Sequence, residues 1–334
     1  MNELIQNKTY INLLDKIGKT YSTARDNAKR AINSELVRAY WNIGNYIVEY
    51  EQKGNIKADY GDKLILELAK DLKYRYGKGF SKSNLVYMRL FYIKYPKLEL
   101  ISNKLFWSHY FELLKLDDDL ERSFYEKQTI NENWSIRELK RQKQSALFHR
   151  LALSKDKQGI LELAKKGQII KDESDIIKPQ ILEFLDLPEP HQYTENELEQ
   201  AIINNLQQYL LELGKGFAFV GRQYRITLNN RHFRVDLVFY HIILKCYVLI
   251  DLKIGEVEHN DLGQMNMYLG YFAEEENRED DNEPIGIVLT KEKEDIMIKY
   301  ARYGMNSKLF VSKYELYLPD RKILEEKVKE ILNR

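Results

Sequence analysis

The spacing of hydrophobic positions changes about half-way along the chain. From residue 10 to about 50, apolar residues recur at helical spacing: Ile11, Leu14 and Ile17, then Ala31, Leu36, Val37, Tyr40, Trp41, Ile43 and Ile47. Gly54 and Asn55 can end this helix. A second, starting near Asp59 and Tyr60, carries Leu64, Leu66, Leu68, Ala69 and Leu72. The turn YGKGF, residues 76–80, follows, and Ser81 can cap a third helix, SKSNLVYMRLFYIKY, which must stop before Pro96. Further helices are predicted over 107–116 and 118–128. Another starts at Ser135, which forms an S-x-x-E capping-box pattern with Glu138 and opens the helix SIRELKRQKQSALFHR.

The second half reads differently. A helix over 196–213 carries Leu198, Ile202, Leu206, Leu210 and Leu211, and Gly214 and Gly216 end it. The strand FAFVGRQYRITL follows, with Asn229 and Asn230 as a hairpin turn. Residues 232–254, HFRVDLVFYHIILKCYVLIDLKI, then read as two strands joined tightly near Ile242 and Ile243. A helix over 260–272, a strand over 285–289, a helix near 292–303, a strand over 309–318 and a basic C-terminal helix complete the chain. The order α-β-β-β-α-β implies a mixed sheet flanked by helices. Between 171 and 193, Pro179, Pro188 and Pro190 bracket the apolar stretch ILEFLDL, which reads as a semi-rigid connection with its own docking element. The expected domains are therefore an all-helical 1–175 and an α/β 176–334, within the size range of two domains.

Charge sharpens this division. Residues 1–180 hold 33 Lys and Arg against 24 Asp and Glu, net +9; residues 181–334 hold 19 against 27, net −8. The basic half is the natural place for contact with a polyanion, although two differently solvated surfaces would look the same. Arg137, Lys140, Arg141, Lys143 and Arg150 suggest a phosphate-contacting face. The second and third helices, with Lys82, Arg89 and Lys94, suit a helix-turn-helix reader as well as ordinary bundle packing. No apolar run reaches the roughly 18–20 residues that span a bilayer. The N-terminus lacks a signal-peptide pattern. The single cysteine, Cys246, excludes an intrachain disulfide and favours a reducing compartment. A cytoplasmic protein without membrane contact is expected.

The apolar strands of 232–254 also carry Asp236, Asp251 and Lys253. Side chains alternate along a strand, so Asp251 and Lys253 share a face with Tyr247 and Leu249, opposite Val248, Ile250 and Leu252. Charged groups in such a setting need a partner, a metal or a chemical role. Paired carboxylates on adjacent strands can hold Mg²⁺, or Mn²⁺, together with phosphate oxygens, and such an ion acidifies water for attack on phosphorus. Lys253 can orient that water and offset charge developing on the phosphate. Glu199, after Glu195 and Glu197 on the preceding helix, borders its inward face; Gln264 lies on the helix that follows. The competing readings are an Asp251–Lys253 ion pair, pairing of Asp236 with Arg222, Arg225 or Arg234, and a solvent-facing Glu199. His241 and His259 read as strand-end or loop residues, Cys246 as core, and Tyr268 as packing.

The arrangement of a strand Asp, then a strand Asp-x-Lys, behind an acidic helix resembles the PD-(D/E)xK nuclease superfamily. The fuller string LEQAIINNLQQYLLELGKGFAFVGRQY, VDLVFYHIILKCYVLIDLKIG and GQMNMYL, with WNIG and GKGFSKSNL in the first half, resembles the YhcG-type members. The resemblance implies a restriction-endonuclease-like domain with an αβββαβ core behind a helical N-terminal domain, so a mixed α+β chain. It implies Asp236, Asp251 and Glu199 as metal ligands, Lys253 as the catalytic lysine and Gln264 as an auxiliary residue. Val235 stands where the motif name has proline, and Asp251 is the shorter of the two acids the motif admits. The expected function is a Mg²⁺-dependent endonuclease on DNA. The alternatives are a non-catalytic DNA-binding or assembly protein of the same fold, or an RNA nuclease. Protein partners bound by the helical domain, and a homodimer able to cut both strands, are further expectations.

Overall fold

The computed structural model describes residues 8–53, 58–153, 155–176, 180–187, 193–291, 307–317 and 320–333. They form two compact units, 1–140 and 141–334. Among the described residues, no helix is long and apolar enough to cross a membrane.

The first unit is helical: α1 Lys8–Lys53, α2 Ala58–Tyr76, α3 Lys82–Lys94, α4 Trp107–Leu113, α5 Asp119–Glu132 and the start of α6 Ile136–Gln144. Its core gathers Ile47, Ile65, Leu85 and Met88, flanked by Tyr40 and Trp107. The α1–α3 crossing is tight at Gly44, where a Cβ would lie 2.1 Å from the Met88 carbonyl oxygen. Ser81 accepts from the Asn84 backbone N–H at 3.2 Å and starts α3 where its sequence places it. The apolar spacing of α1 does not bury all of it: Ile11, Leu14 and Ile17 are 43%, 49% and 57% exposed. Of the three cations expected on a reading helix, Arg89 pairs with Glu51 at 2.7 Å and Lys94 with Asp119 at 2.9 Å.

In the second unit, α7 Leu147–Ala152 and α8 Lys157–Lys166 follow α6. The expected single helix over SIRELKRQKQSALFHR is broken, because Ala146 takes a left-handed φ of +51°. The break turns Arg150 towards Glu212, 2.9 Å away, while its Nε donates to the Ser145 carbonyl. Arg141 also reaches Glu212, at 3.5 Å, and Glu183, at 3.3 Å. Glu212 is fully buried and accepts the Ile181 backbone N–H too. Arg141 and Arg150 therefore neutralise a buried carboxylate and do not form a phosphate face; Lys143 is buried as well. These bonds tie 141–175, read from sequence as the end of the first domain, to the second unit.

The sheet order is β1-β6-β5-β4-β3-β2, from β1 Gln180–Ile181, β2 Phe217–Leu228, β3 Arg231–His241, β4 Cys246–Lys253, β5 Ile285–Thr290 and β6 Lys308–Glu315. β2, β3 and β4 pair antiparallel; β4, β5, β6 and β1 pair parallel. The expected docking element ILEFLDL thus supplies an edge strand, with Ile181, Leu182 and Leu185 buried. One face of the sheet packs on α9 Glu195–Asn204 and α10 Leu206–Leu213, through Leu198, Ile202, Tyr209, Leu237, Val248 and Ile250. The other packs on α11 His259–Tyr271, through Leu262, Met265, Tyr268, Val238 and Leu249. α12 Arg321–Asn333 ends the chain. The helix expected over 196–213 is two helices, kinked at Asn205, whose amide donates to the Ala201 carbonyl. The helix expected near 292–303 lies outside the described residues. The α-β-β-β-α-β order is the one the sequence predicts.

Candidate active site

The site begins where two strands part. The β3–β4 ladder runs from His241–Cys246 to Leu237–Ile250. One residue further, the Asp236 side chain takes over, its Oδ2 accepting the Leu252 backbone N–H at 2.8 Å. Beside it, Asp251 is 4% exposed at the end of β4, and the two carboxyls share a hydrogen bond. Burial, then the Asp236 charge, push the Asp251 carboxyl up to about 7, against the opposing pull of Lys253.

Lys253 Nζ lies 3.3 Å from Asp261, 3.6 Å from Glu195 and 3.7 Å from Asp251. Burial alone would lower its pKa; Asp251, Glu195 and Asp261 outweigh burial and raise it, so Lys253 is cationic at neutral pH. Local structure sets both outer partners. Thr194 and Glu197 form a capping box at the start of α9, which places Glu195 and Glu199 four residues apart on one side. Asp261 Oδ2 accepts the Glu258 N–H at the start of α11, leaving Oδ1 for Lys253.

Glu199 is 6% exposed and joins the pair through a residue absent from the sequence reading. The Gln223 amide donates to Glu199 Oε2 at 2.6 Å and to Asp236 Oδ1 at 3.0 Å. A register shift after Phe219 and a left-handed φ of +45° put Gln223 opposite Asp236 on β2. Burial raises the Glu199 pKa, the Gln223 bond opposes it, and Asp236 adds to it. The signal for Gln223 was present in GRQY on a strand beside Asp236, but only the register shows which side chain meets the acids. Asp261 was likewise hidden, because its part depends on where α11 starts.

Gln264 is exposed on α11 and donates to the Tyr268 phenol, which donates to the Arg234 carbonyl at 2.9 Å. Among the described residues it bonds to none of Glu199, Asp236, Asp251 or Lys253. Of the arginines offered as partners for Asp236, Arg222 donates to Gln200 and Arg225 bonds to His232. His241 is buried between the Lys215 carbonyl and the Leu244 N–H, His259 is exposed at the start of α11, and Cys246 is buried in the opposite sheet face.

Asp236, Asp251 and Glu199 offer only oxygen donors, two of these carboxylates are buried, and Lys253 is shared among three acids. Such a donor set fits a hard divalent cation such as Mg²⁺ or Mn²⁺.

Comparison with known proteins agrees with this architecture. The family described as YhcG PDDEXK nuclease domain matches residues 169–330, and the DUF1016 N-terminal domain matches 16–150. The chain is 38% identical to "Putative nuclease YhcG" of Escherichia coli (strain K12) over 352 aligned positions, covering 96% of this chain and 93% of the relative. A crystal structure of a repair endonuclease from Pyrococcus abyssi overlaps 38% of this chain and 49% of its own at 18% identity, with a TM-score of 0.28.

Proposed function

Because this chain belongs to the YhcG family of PDDEXK nucleases, we propose that it is an endonuclease that hydrolyses DNA with the help of Mg²⁺ or Mn²⁺. The observation that carries the reading is the adjoining Asp236–Asp251 pair beside the lysine Lys253, at the point where β3 and β4 part. Asp236 and Asp251 would hold the cation, and Glu199, kept beside them by Gln223, would complete its surroundings through water. When bound, the ion lowers the pKa of water and offsets phosphate charge.

The residues divide the remaining work. Lys253 donates to a non-bridging phosphate oxygen and orients the attacking water. The oxygen of water bonds to phosphorus and gives up a proton to solvent, the bond from phosphorus to the leaving sugar oxygen breaks, and that oxygen takes up a proton from solvent; the net change consumes one water and yields a phosphomonoester and a hydroxyl. Asp261 and Glu195 hold the Lys253 ammonium in place and keep it charged. Gln223 sets the spacing between Glu199 and Asp236. Gln264 orders Tyr268 beneath the site.

The test is cleavage of supercoiled, linear, branched and single-stranded DNA in Mg²⁺, Mn²⁺ or EDTA, by wild type, Asp251→Ala and Lys253→Ala, each checked for native melting. Cleavage that needs the cation and is lost in both variants supports the reading. Unchanged DNA binding with no cleavage by wild type on any DNA overturns it in favour of a non-catalytic protein. Cleavage of RNA alone overturns the choice of substrate.

A further inference from the structure

The first unit has a basic cleft of about 1120 Å³ between the end of α2 and the start of α3. Lys70, Lys73, Lys78 and Lys82 line it, with Tyr74, Phe80 and one acid, Asp71. From residue 70 to 82 there are five cations, Arg75 being the fifth, against that one acid. All four lysines are exposed, and none has an ion-pair partner among the described residues. This sets them apart from Arg89 and Lys94, further along α3, whose charges Glu51 and Asp119 satisfy. Tyr74 is 92% exposed, so an aromatic ring stands in water amid the cations.

The cleft is held in shape. Gly77, with a φ of +91°, lets the chain turn after α2, and its N–H reaches the Lys73 carbonyl at 3.0 Å. Asn84 donates to the Gly79 carbonyl at 2.6 Å and accepts from the Trp107 indole at 3.0 Å, pinning the turn to the core. A rigid turn that spaces four uncompensated ammonium groups suits a ligand with evenly repeated negative charge. Lysine stems permit no planar, bidentate recognition of base edges, so charge and not sequence would be read.

We propose that this cleft grips the phosphodiester backbone of DNA. The grip is sequence-independent, with Lys73 and Lys78 on phosphates and Tyr74 beside them. The proposal stands apart from the nuclease reading, because binding is measured in EDTA, where nothing is cut. Failure of cleavage leaves it standing, and its failure leaves the active site untouched.

The test is binding of the full-length chain to a short labelled duplex across a salt series. Lys73→Gln with Lys78→Gln should weaken binding about tenfold at moderate salt and reduce the slope of log affinity against log salt by about two. Lys73→Arg with Lys78→Arg should restore both. Lys16→Gln with Lys19→Gln, the same charge change on an exposed stretch of α1, should leave the slope unchanged. All variants should melt as wild type. An unaltered slope in the cleft variant overturns the proposal. So does an equal loss in the α1 control, which would mark a general field, or binding to RNA with none to duplex DNA.

Discussion

Gln223 shows how far one side chain can organise a site. Its amide has two hydrogens, and each goes to a different carboxylate, Glu199 and Asp236. Gln223→Ala should leave melting close to wild type and weaken Mn²⁺ binding about 10–100-fold, the usual cost of losing a group that orients ligands, as read by calorimetry. Asp251 adds a pH dependence. Its carboxyl sits at about 7 in the fold, against an ordinary 3.8. Between those values the folded chain holds a proton that the unfolded chain has lost, so metal-free stability falls as pH rises through this window and levels off above it. The gain in stability of Asp251→Asn over wild type should therefore be absent below pH 4, grow between pH 4 and 7, and stay constant above pH 7. A cation must displace that proton, so Mn²⁺ should raise the wild-type melting temperature more at pH 8 than at pH 6. An equal rise at both would place the proton elsewhere.

Among the elements, α1 separates pattern from packing. Its hydrophobic spacing gives a helix, and the second half buries Val37 and Ile47. The same spacing leaves Ile11, Leu14 and Ile17 exposed, because periodicity marks a face without saying what covers it. Gly44 is where α1 meets α3, and the obstacle there is backbone, which cannot step aside. Gly44→Ala should destabilise the helical unit by about 1–3 kcal/mol, as overpacking does. Denaturant melts followed by helical signal would check this. The cations of α6 and α7 teach a related lesson. Their spacing looked like a surface, yet Arg141 and Arg150 turn inward, where the buried carboxylate of Glu212 meets both guanidinium groups.

For the molecule as a whole, two units with separate cores imply unfolding in more than one step. Mn²⁺ should raise only the transition of the second unit, and Gly44→Ala should lower only that of the first. Calorimetry of the full chain checks both, and a single transition moved by both changes would mean that the units unfold as one. The fold was largely legible beforehand. The α-β-β-β-α-β order, the cap at Ser81 and the strand 217–228 all follow from periodicity and local turn chemistry. The edge strand in ILEFLDL was not, because a two-residue strand is defined by its partner β6 and not by any pattern of its own.

The sequence by itself determined which residues form helices and strands, and that Asp236, Asp251 and Lys253 lie in apolar strands. These are local properties, set by side-chain alternation and by what a pleated, buried surface accepts. Only the tertiary structure decided which groups meet. Strand register brought Gln223 between Glu199 and Asp236, and the start of α11 brought Asp261 to Lys253. The same tertiary contacts joined Arg89, Lys94, Arg141 and Arg150 to acids and left the α2–α3 lysines open. Hydrogen bonds and ion pairs act over a few ångströms in space, and residues 8 to 71 positions apart along the chain are held at that distance only when the chain has folded.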